Sequence, residues 1–345
     1  MDVTKNQFYT SDSERILREL GPERLKGILT QMLLIRHFET RGEVAYQHGK
    51  VGGFYHSYAG QEAIQVGCVA ASGTKHWYTT TYRCHALALL LGASPDAMMA
   101  ELYGRSTGVA KGLGGSMHMY ADHLLGGLAI VGGHVPVATG AAFSIKYLKQ
   151  KDLASFCFLG EGAVVQGAVH ESLNLAALWN LPCLYVIENN QWGMGTAVRR
   201  AVAVNPIGEN VAKAYGIKSY TFDGMDFFQC YGGFQAALGE VLSTSRPVLI
   251  EAVTERFRGH SISDPAVYRT KECLQKTMER DPILSLKEKL LEKKIITEES
   301  YSQMDQEAKE IVLAAMKFAE ESPWPDPIHL EEGVFAPEDH GKTAH

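Results

Sequence analysis

The sequence predicts an α/β fold: a doubly wound, mostly parallel sheet flanked by helices, with helical N- and C-terminal extensions. Three observations predict it. Short apolar runs at 154–159 and 183–187 bracket a stretch with helical apolar spacing, the pattern of a parallel crossover unit. A second unit follows, with a strand at 219–222 ending in Asp223-Gly224, a helix at 227–242 and a strand at 247–254. Beyond it strands stop, and the remaining periodicity is helical.

Composition narrows the function classes. The 345 residues suffice for one large domain or two small ones, and the 46% apolar and 21% charged fractions are those of a soluble globular protein. A formal net charge of −6 argues against a nucleic-acid binder, which needs a basic surface. No apolar run approaches the span of a bilayer, since 86–93 is short and contains Gly92. Cys68, Cys84, Cys157, Cys183, Cys230 and Cys273 form no CxxC pair, which argues against zinc or redox use. Cys157 and Cys183 fall in the expected strands as small apolar fillers. The start, MDVTKNQFYTSDSER, is polar and partly acidic, with neither a signal-peptide core nor Arg-rich transit character, so a reducing cytoplasm is the expected compartment.

Taken in order, residues 1–24 read as a mobile arm and short helix, 25–330 as the main domain and 331–345 as a tail. Ser13-Glu14 starts one helix, and Pro22 after Gly21 starts another. Leu25, Ile28, Leu29, Met32, Leu33, Ile35 and Phe38 then mark a long helix over 25–46. Residues 49–62, GKVGGFYHSYAGQE, are a glycine- and aromatic-rich loop carrying His56, with a helix from Gln61. Tyr82 and Arg83 precede another helix, and an Arg fork there suits a phosphate. The glycine-rich run 104–136 predicts irregular backbone, closely packed rather than disordered because Met, Leu, Ile and Val are interleaved. Without further context Ile130 within it reads as core. Residues 201–215 are a loop and short helix, and 255–271, ERFRGHSISDPAVYRTK, read as a charged surface loop. Asp281-Pro282 starts a helix, and Thr297-Glu298-Glu299 caps another running to about 320.

The central unit carries the chemistry. A glycine turn, Gly160-Glu161-Gly162, follows the first strand, and the loop Glu188-Asn189-Asn190-Gln191 follows the second. Parallel strands end on the same side of a sheet, so Glu161 and Asn190 can converge. A carboxylate, an amide oxygen and loop carbonyls form a hard-oxygen set suited to Mg²⁺ or Ca²⁺. Glycines at a helix N-terminus let main-chain N–H groups approach an anion. Metal and anion together suggest a Mg²⁺-bridged diphosphate. A Rossmann-type dinucleotide site requires GxGxxG here, which GEGAVVQG does not supply.

The run from Gly160-Glu161-Gly162 through Gly167, Glu171 and Asn174 to the Asn189-Asn190 pair resembles the thiamine diphosphate motif. Over roughly residues 25–325 the chain is similar to the α subunit of the decarboxylating component of 2-oxo acid dehydrogenase complexes. GGFYHSYAGQEA matches its pyruvate branch, and KGLGGSMHM its pyruvate and acetoin branches. The resemblance implies a thiamine diphosphate-binding fold, with thiamine diphosphate and Mg²⁺ as cofactors. It implies oxidative decarboxylation of pyruvate and reductive acetylation of a lipoyl group. Metal ligands would be Glu161, where the family has Asp, Asn190 and the Trp192 carbonyl. Tyr82, Arg83, His260 and the Gly162 and Ala163 N–H groups would hold the diphosphate. Ala129 and Val131 would contact the rings, and Ile130 would wedge the cofactor into its bent form. His56 would lie at the reacting carbon and His260 at the diphosphate, the two catalytic positions. Where relatives carry Asp-His-Gly-His, this chain has Cys84, His85, Ala86 and Leu87, so His85 is kept without a catalytic role. Ser261 matches a regulatory phosphorylation position of animal relatives, where added charge would oppose diphosphate binding.

Family members activate the cofactor through a glutamate on a second α/β domain, and only one such domain fits here. The resemblance therefore implies a separate β subunit in an α₂β₂ heterotetramer, with a lipoyl acyltransferase core as the outer partner. The alternatives are an acetoin or branched-chain 2-oxo acid enzyme, and a non-catalytic scaffold that has lost metal binding through Glu161.

Overall fold

A computed structural model describes residues 8–330. The elements run α1 (Ser13–Gln47), α2 (Glu62–Ser72), β1 (Trp77–Thr81), α3 (His85–Leu90), α4 (Pro95–Leu102), β2 (Leu124–Leu128), α5 (Val135–Tyr147), β3 (Ser155–Gly160), α6 (Gly167–Leu178) and β4 (Cys183–Asn189). After them come β5 (Trp192–Gly193), β6 (Thr196–Ala197), α7 (Val198–Ala201), α8 (Ile207–Ala214), β7 (Lys218–Asp223), α9 (Phe227–Thr244), β8 (Val248–Val253), α10 (Lys271–Met278), α11 (Pro282–Glu292) and α12 (Glu298–Glu321). The expected tail at 331–345 and the first seven residues lie outside the described residues.

Six strands form one parallel sheet in the order β2-β1-β3-β4-β8-β7. The chain moves one way from β1 to β2 and the other way from β3 to β4, so the winding reverses between β1 and β3. Ligands of such sheets bind outside the carboxyl ends of the strands at that reversal. In β4, Leu184 and Val186 enter one core cluster, while Cys183, Tyr185 and Ile187 enter the other. Burial on both faces is why the segment reads as a continuous apolar run rather than an alternation. Tyr9 N–H donates to Thr221 O (2.6 Å) and partly covers the β7 edge.

Several ends are set by local chemistry. Asp12 accepts from Arg15 N–H to cap α1, and Gly21 at φ 69° kinks that helix just before Pro22 restarts it, at the expected position. Asp281 caps α11 with Pro282 at its first turn, and Thr297 and Ser300 form a reciprocal capping box on α12. The helix after β3 starts at Gly167, because residues 161–163 form a 3₁₀ turn.

Two expectations require correction, and β1 is a strand the sequence reading does not contain. The run 104–136 is not wholly irregular: Leu124–Leu128 pairs as edge strand β2, although it contains Gly126 and Gly127, and α5 follows at Val135. The threonine-rich β1 is an interior strand despite its polar sequence, with Thr79 and Thr80 fully buried. Sheet position overrode local propensity in both cases. Residues 255–264 are not a solvated face. Arg256, Phe257 and Ser261 are buried, and the Phe257 and Ile262 N–H groups bond to Ala59 O and Tyr55 O.

All cysteines are free, and all but Cys273 are buried, Cys157 and Cys183 fully. No described helix is long and apolar enough to cross a membrane. His76, beneath β3, accepts the Ala154 N–H at Nδ1 (3.2 Å), and burial pushes its pKa down to about 4. The unfolded chain takes up this proton near pH 6.5, whereas the folded chain refuses it until about pH 4. His76 therefore lowers stability progressively as pH falls through that window, by up to ~3 kcal/mol. Thermal melts of wild type and His76→Asn at pH 7.5 and 4.5 test this: the wild type should lose more. Equal losses would contradict it.

Candidate active site

A cavity of about 830 Å³ opens at the carboxyl ends of β1, β2, β3 and β4, where the winding reverses. Thr81 and Tyr82 reach it from β1, Leu128 and Ala129 from β2, Gly160 and Glu161 from β3, and Glu188 and Asn190 from β4. The segments 54–61 and 256–268 complete its wall.

Glu161 sits in the 3₁₀ turn after β3, and its buried Oε2 accepts the Asn190 N–H (3.2 Å). Burial raises its pKa, while Arg256 and Arg83 draw it back. Asn190 Oδ1 accepts the Trp192 N–H (3.3 Å). Asn189 points elsewhere, donating to Glu251 Oε1 (2.7 Å) and accepting from Gln191, so it pins the loop that presents Asn190. The predicted convergence of Glu161 and Asn190 is thus observed. Gly162 adjoins Gly193, and both line the cavity with Trp192.

The opposite wall is cationic. Arg83 is buried and donates to Ser57 O (2.5 Å) and His260 O (3.0 Å), tying together segments 177 residues apart. Arg256 Nη1 lies 3.3 Å from His260 Nδ1, Nη2 donates to Tyr268 Oη (3.3 Å), and its buried Nε has no partner. Burial and Arg83 push the Arg256 pKa down to about 10. Burial, Arg83 and Arg256 push His260 down to about 4. The His56 ring packs 4.4 Å from Tyr82 and edge-on to His260 at 5.0 Å. Its Nδ1 is unpartnered, and burial, Arg83 and His260 lower its pKa to about 2. These depressions have two causes in common, burial first and then the Arg83 charge, which has too little counter-charge nearby. An anion would relieve the second.

Tyr82, Arg83, Ala129, Val131, Glu161, Gly162, Ala163, Asn190, Trp192, His56 and His260 all line this one cavity. Ile130 does not. It is 75% exposed in this chain, which corrects the core reading. The chain turns here, the Ile130 carbonyl accepting the Gly133 N–H (3.0 Å), and Ala129 and Val131 line the cavity while Ile130 does not. His85 is fully buried against Glu39 and Ser116 and does not line the cavity. Ser261 also lines the cavity, buried and bonded to Ser263 (2.9 Å).

Sequence reasoning missed Arg256, Glu188 and Gln61. Glu188 Oε1 accepts from Tyr58 Oη (2.5 Å) and Gln65 Nε2 (3.2 Å), and burial raises its pKa to about 7. Gln61 lines the cavity with both amide atoms buried and unpartnered. One signal was available: Arg256 and Glu188 lie at or just past the carboxyl ends of β8 and β4, where α/β folds put their sites.

The donors suit a bridged diphosphate. Among the described residues no three His, Cys, Asp or Glu side chains cluster as a metal cage. A hard cation would take the Glu161 carboxylate, amide and carbonyl oxygens, and oxygens of its own anionic ligand, as Mg²⁺ commonly does. The cationic wall matches the anion.

Residues 30–328 match the model of the family described as "Dehydrogenase E1 component". The chain is 44% identical to the pyruvate dehydrogenase E1 component subunit alpha of Rickettsia felis over 308 residues, covering 88% of this chain and 93% of the relative. It is 43% identical to the protein of that name from Rhizobium meliloti over 308 residues, covering 88% of each chain. To the mitochondrial protein of Kluyveromyces lactis it is 38% identical over 343 residues, covering 98% of this chain and 82% of the relative. With the family match spanning most of the sequence and the cavity placed where a doubly wound sheet binds its ligand, the chain belongs to the dehydrogenase E1 component family.

Proposed function

We propose that this chain is the α subunit of a thiamine-diphosphate-dependent pyruvate dehydrogenase, active with a separate β subunit in an α₂β₂ heterotetramer. It would deliver acetyl groups to the lipoyl groups of an acyltransferase core. The observation that carries the reading is the pairing, in one cavity, of a buried carboxylate at the β3 turn with two buried arginines and with His56 and His260, the Arg256 Nε and His56 Nδ1 having no partner among the described residues. Its relatives are named for the pyruvate enzyme.

In this reading Glu161, Asn190 and the Trp192 carbonyl hold Mg²⁺. Tyr82, Arg83, His260 and the Gly162 and Ala163 N–H groups hold the diphosphate, with Arg256 adding charge behind His260. Ala129 and Val131 shape the apolar floor beneath the rings. Bound thiamine diphosphate supplies a nucleophilic carbon and an electron sink for loss of CO₂. His56, kept neutral chiefly by burial, offers a hydrogen bond to the 2-oxo acid without adding to the charge. Phe54 and Met194 line the cavity yet are 58% and 64% exposed, and Ile130 stands exposed next to the lining residues Ala129 and Val131. Such an apolar margin suits a covering β subunit.

The test is the chain purified with its β subunit and assayed for 2-oxo-acid-dependent reduction of an artificial electron acceptor. Thiamine diphosphate and Mg²⁺ are each added or withheld, and pyruvate, acetoin and 3-methyl-2-oxobutanoate are compared. Activity with pyruvate that needs both additions is expected. Activity confined to the branched acid or to acetoin would overturn the substrate, and none at all would favour a non-catalytic subunit.

A further inference from the structure

Residues 104–117 lead into one wall of the cavity, yet they carry little that could order them by apolar burial. Val109 packs against the core, while Leu113 is 63% exposed and most of the rest are small or polar. The run is folded around a carboxylate instead. Glu101, fully buried near the end of α4, accepts the N–H groups of Ala110 (2.8 Å) and Gly112 (2.9 Å) at Oε2. At Oε1 it accepts those of Gly114 (2.7 Å) and Gly115 (3.0 Å). Converging main-chain N–H groups ordinarily form an anion site; here the anion is the chain's own side chain. Each bond to a carboxylate is stronger than a neutral one. Two positions must be glycine for this geometry. A Cβ on Gly108 would stand 2.3 Å from Glu101 Oε2, and Gly112 adopts φ +79° with its Cβ position 2.7 Å from the Gly104 carbonyl carbon.

The next residue is clamped as well. His85 Nε2 lies 3.0 Å from both Ser116 O and Ser116 Oγ, and its Nδ1 lies 3.0 Å from Glu39 Oε1. Met117 follows at once and lines the cavity, its carbonyl oxygen close against Gly127 of β2, whereas Glu101, His85 and Glu39 do not line it.

We propose that Glu101 is a positioning residue for the cofactor site: its carboxylate sets the 110–115 backbone and, through the clamped Ser116, places Met117 in the cavity wall. Binding then meets a preformed surface and does not have to order a glycine-rich loop. The kinetic part of this proposal rests on the thiamine diphosphate reading above; the structural part does not.

The experiment compares the assembled enzyme with its Glu101→Gln variant by amide hydrogen exchange and by steady-state kinetics. Glutamine keeps the size but sets an N–H donor against two of the four N–H groups. Exchange at 108–117 is expected to quicken roughly tenfold or more, with the sheet unaffected. The apparent KM for thiamine diphosphate is expected to rise roughly tenfold, with kcat at saturation within about twofold. A merely destabilised protein would show the reverse split, a lower kcat from lost active fraction at unchanged KM. Gly112→Ala disturbs the same nest from the loop side, is expected to give the same split, and decides the matter if the glutamine variant does not assemble. Unchanged exchange in a folded variant, or lost kcat at constant KM, overturns the proposal. An enzyme indifferent to thiamine diphosphate would sink the functional reading, and the exchange result alone would then decide the role of Glu101.

Discussion

In the assembled enzyme, Glu161→Ala is expected to weaken thiamine diphosphate binding in Mg²⁺ by about 100-fold or more and to remove most of its dependence on Mg²⁺. The magnitude follows from the donor set. Even partners that merely orient a metal ligand commonly contribute 10–100-fold in affinity, and Glu161 is the only carboxylate in the proposed set of Glu161, Asn190 and the Trp192 carbonyl. Removing it also leaves Arg83 and Arg256 with less compensation in a buried wall, since both act on Glu161 electrostatically. Part of the loss could be offset because an anion gains from that freed charge, so the informative quantity is the ratio of affinities with and without Mg²⁺. Titration of wild type, Glu161→Ala and Glu161→Asp at fixed Mg²⁺ and in chelator measures it. Glu161→Asp keeps the charge on a stem one methylene shorter and should retain the ratio within roughly an order of magnitude. A wild-type affinity that ignores Mg²⁺ would remove Glu161 from metal binding and favour the scaffold alternative.

His56→Ala is expected to lower kcat by about 100-fold while changing the KM for thiamine diphosphate less than about threefold, since a group acting on the reacting atoms contributes at this scale. The imidazole is almost fully buried, packed on Tyr82 and His260, and its Nδ1 has no partner within the chain. Burial is the largest cause of its depressed pKa, so a bound anion would recover only the share due to Arg83 and His260, and the ring is expected to stay neutral above about pH 5. Titration of His56 therefore should not create an acid limb between pH 5 and pH 8 in kcat/KM. Steady-state kinetics over that range check both statements. Equal losses in turnover and cofactor affinity would make His56 part of the diphosphate cradle and end its assignment to the substrate.

The parts of the site legible in the sequence were those contained in short, regular segments. Between residues 154 and 190 the apolar runs, the glycine turn and the asparagine loop follow one another in the order of a parallel crossover, and the structure brings Glu161 and Asn190 within a hydrogen bond of each other. The helices at 25–46, 227–242 and 298–320 were readable for the same reason, because their apolar spacing reports the one face each buries.

What escaped sequence reading depended on neighbours distant in the chain. Arg256 stands in a run that reads as solvated, yet it is buried because Phe257 and Ile262 zip that run onto the 55–59 loop. Glu101 looks like an ordinary helix acid until four main-chain N–H groups fold back on it.

The amino-acid sequence by itself determined the alternation of strands and helices, the glycine turn that admits backbone close to an anion, and the hard-oxygen donors around it. These follow from local periodicity and side-chain chemistry. Only the tertiary structure decided that Leu124–Leu128 is a strand, that Ile130 faces outward, and that Arg83, Arg256, His56 and His260 share one wall. Burial and electrostatic crowding are properties of what surrounds a residue, and they come into being when segments as far apart as Arg83 and His260 are brought within hydrogen-bonding distance.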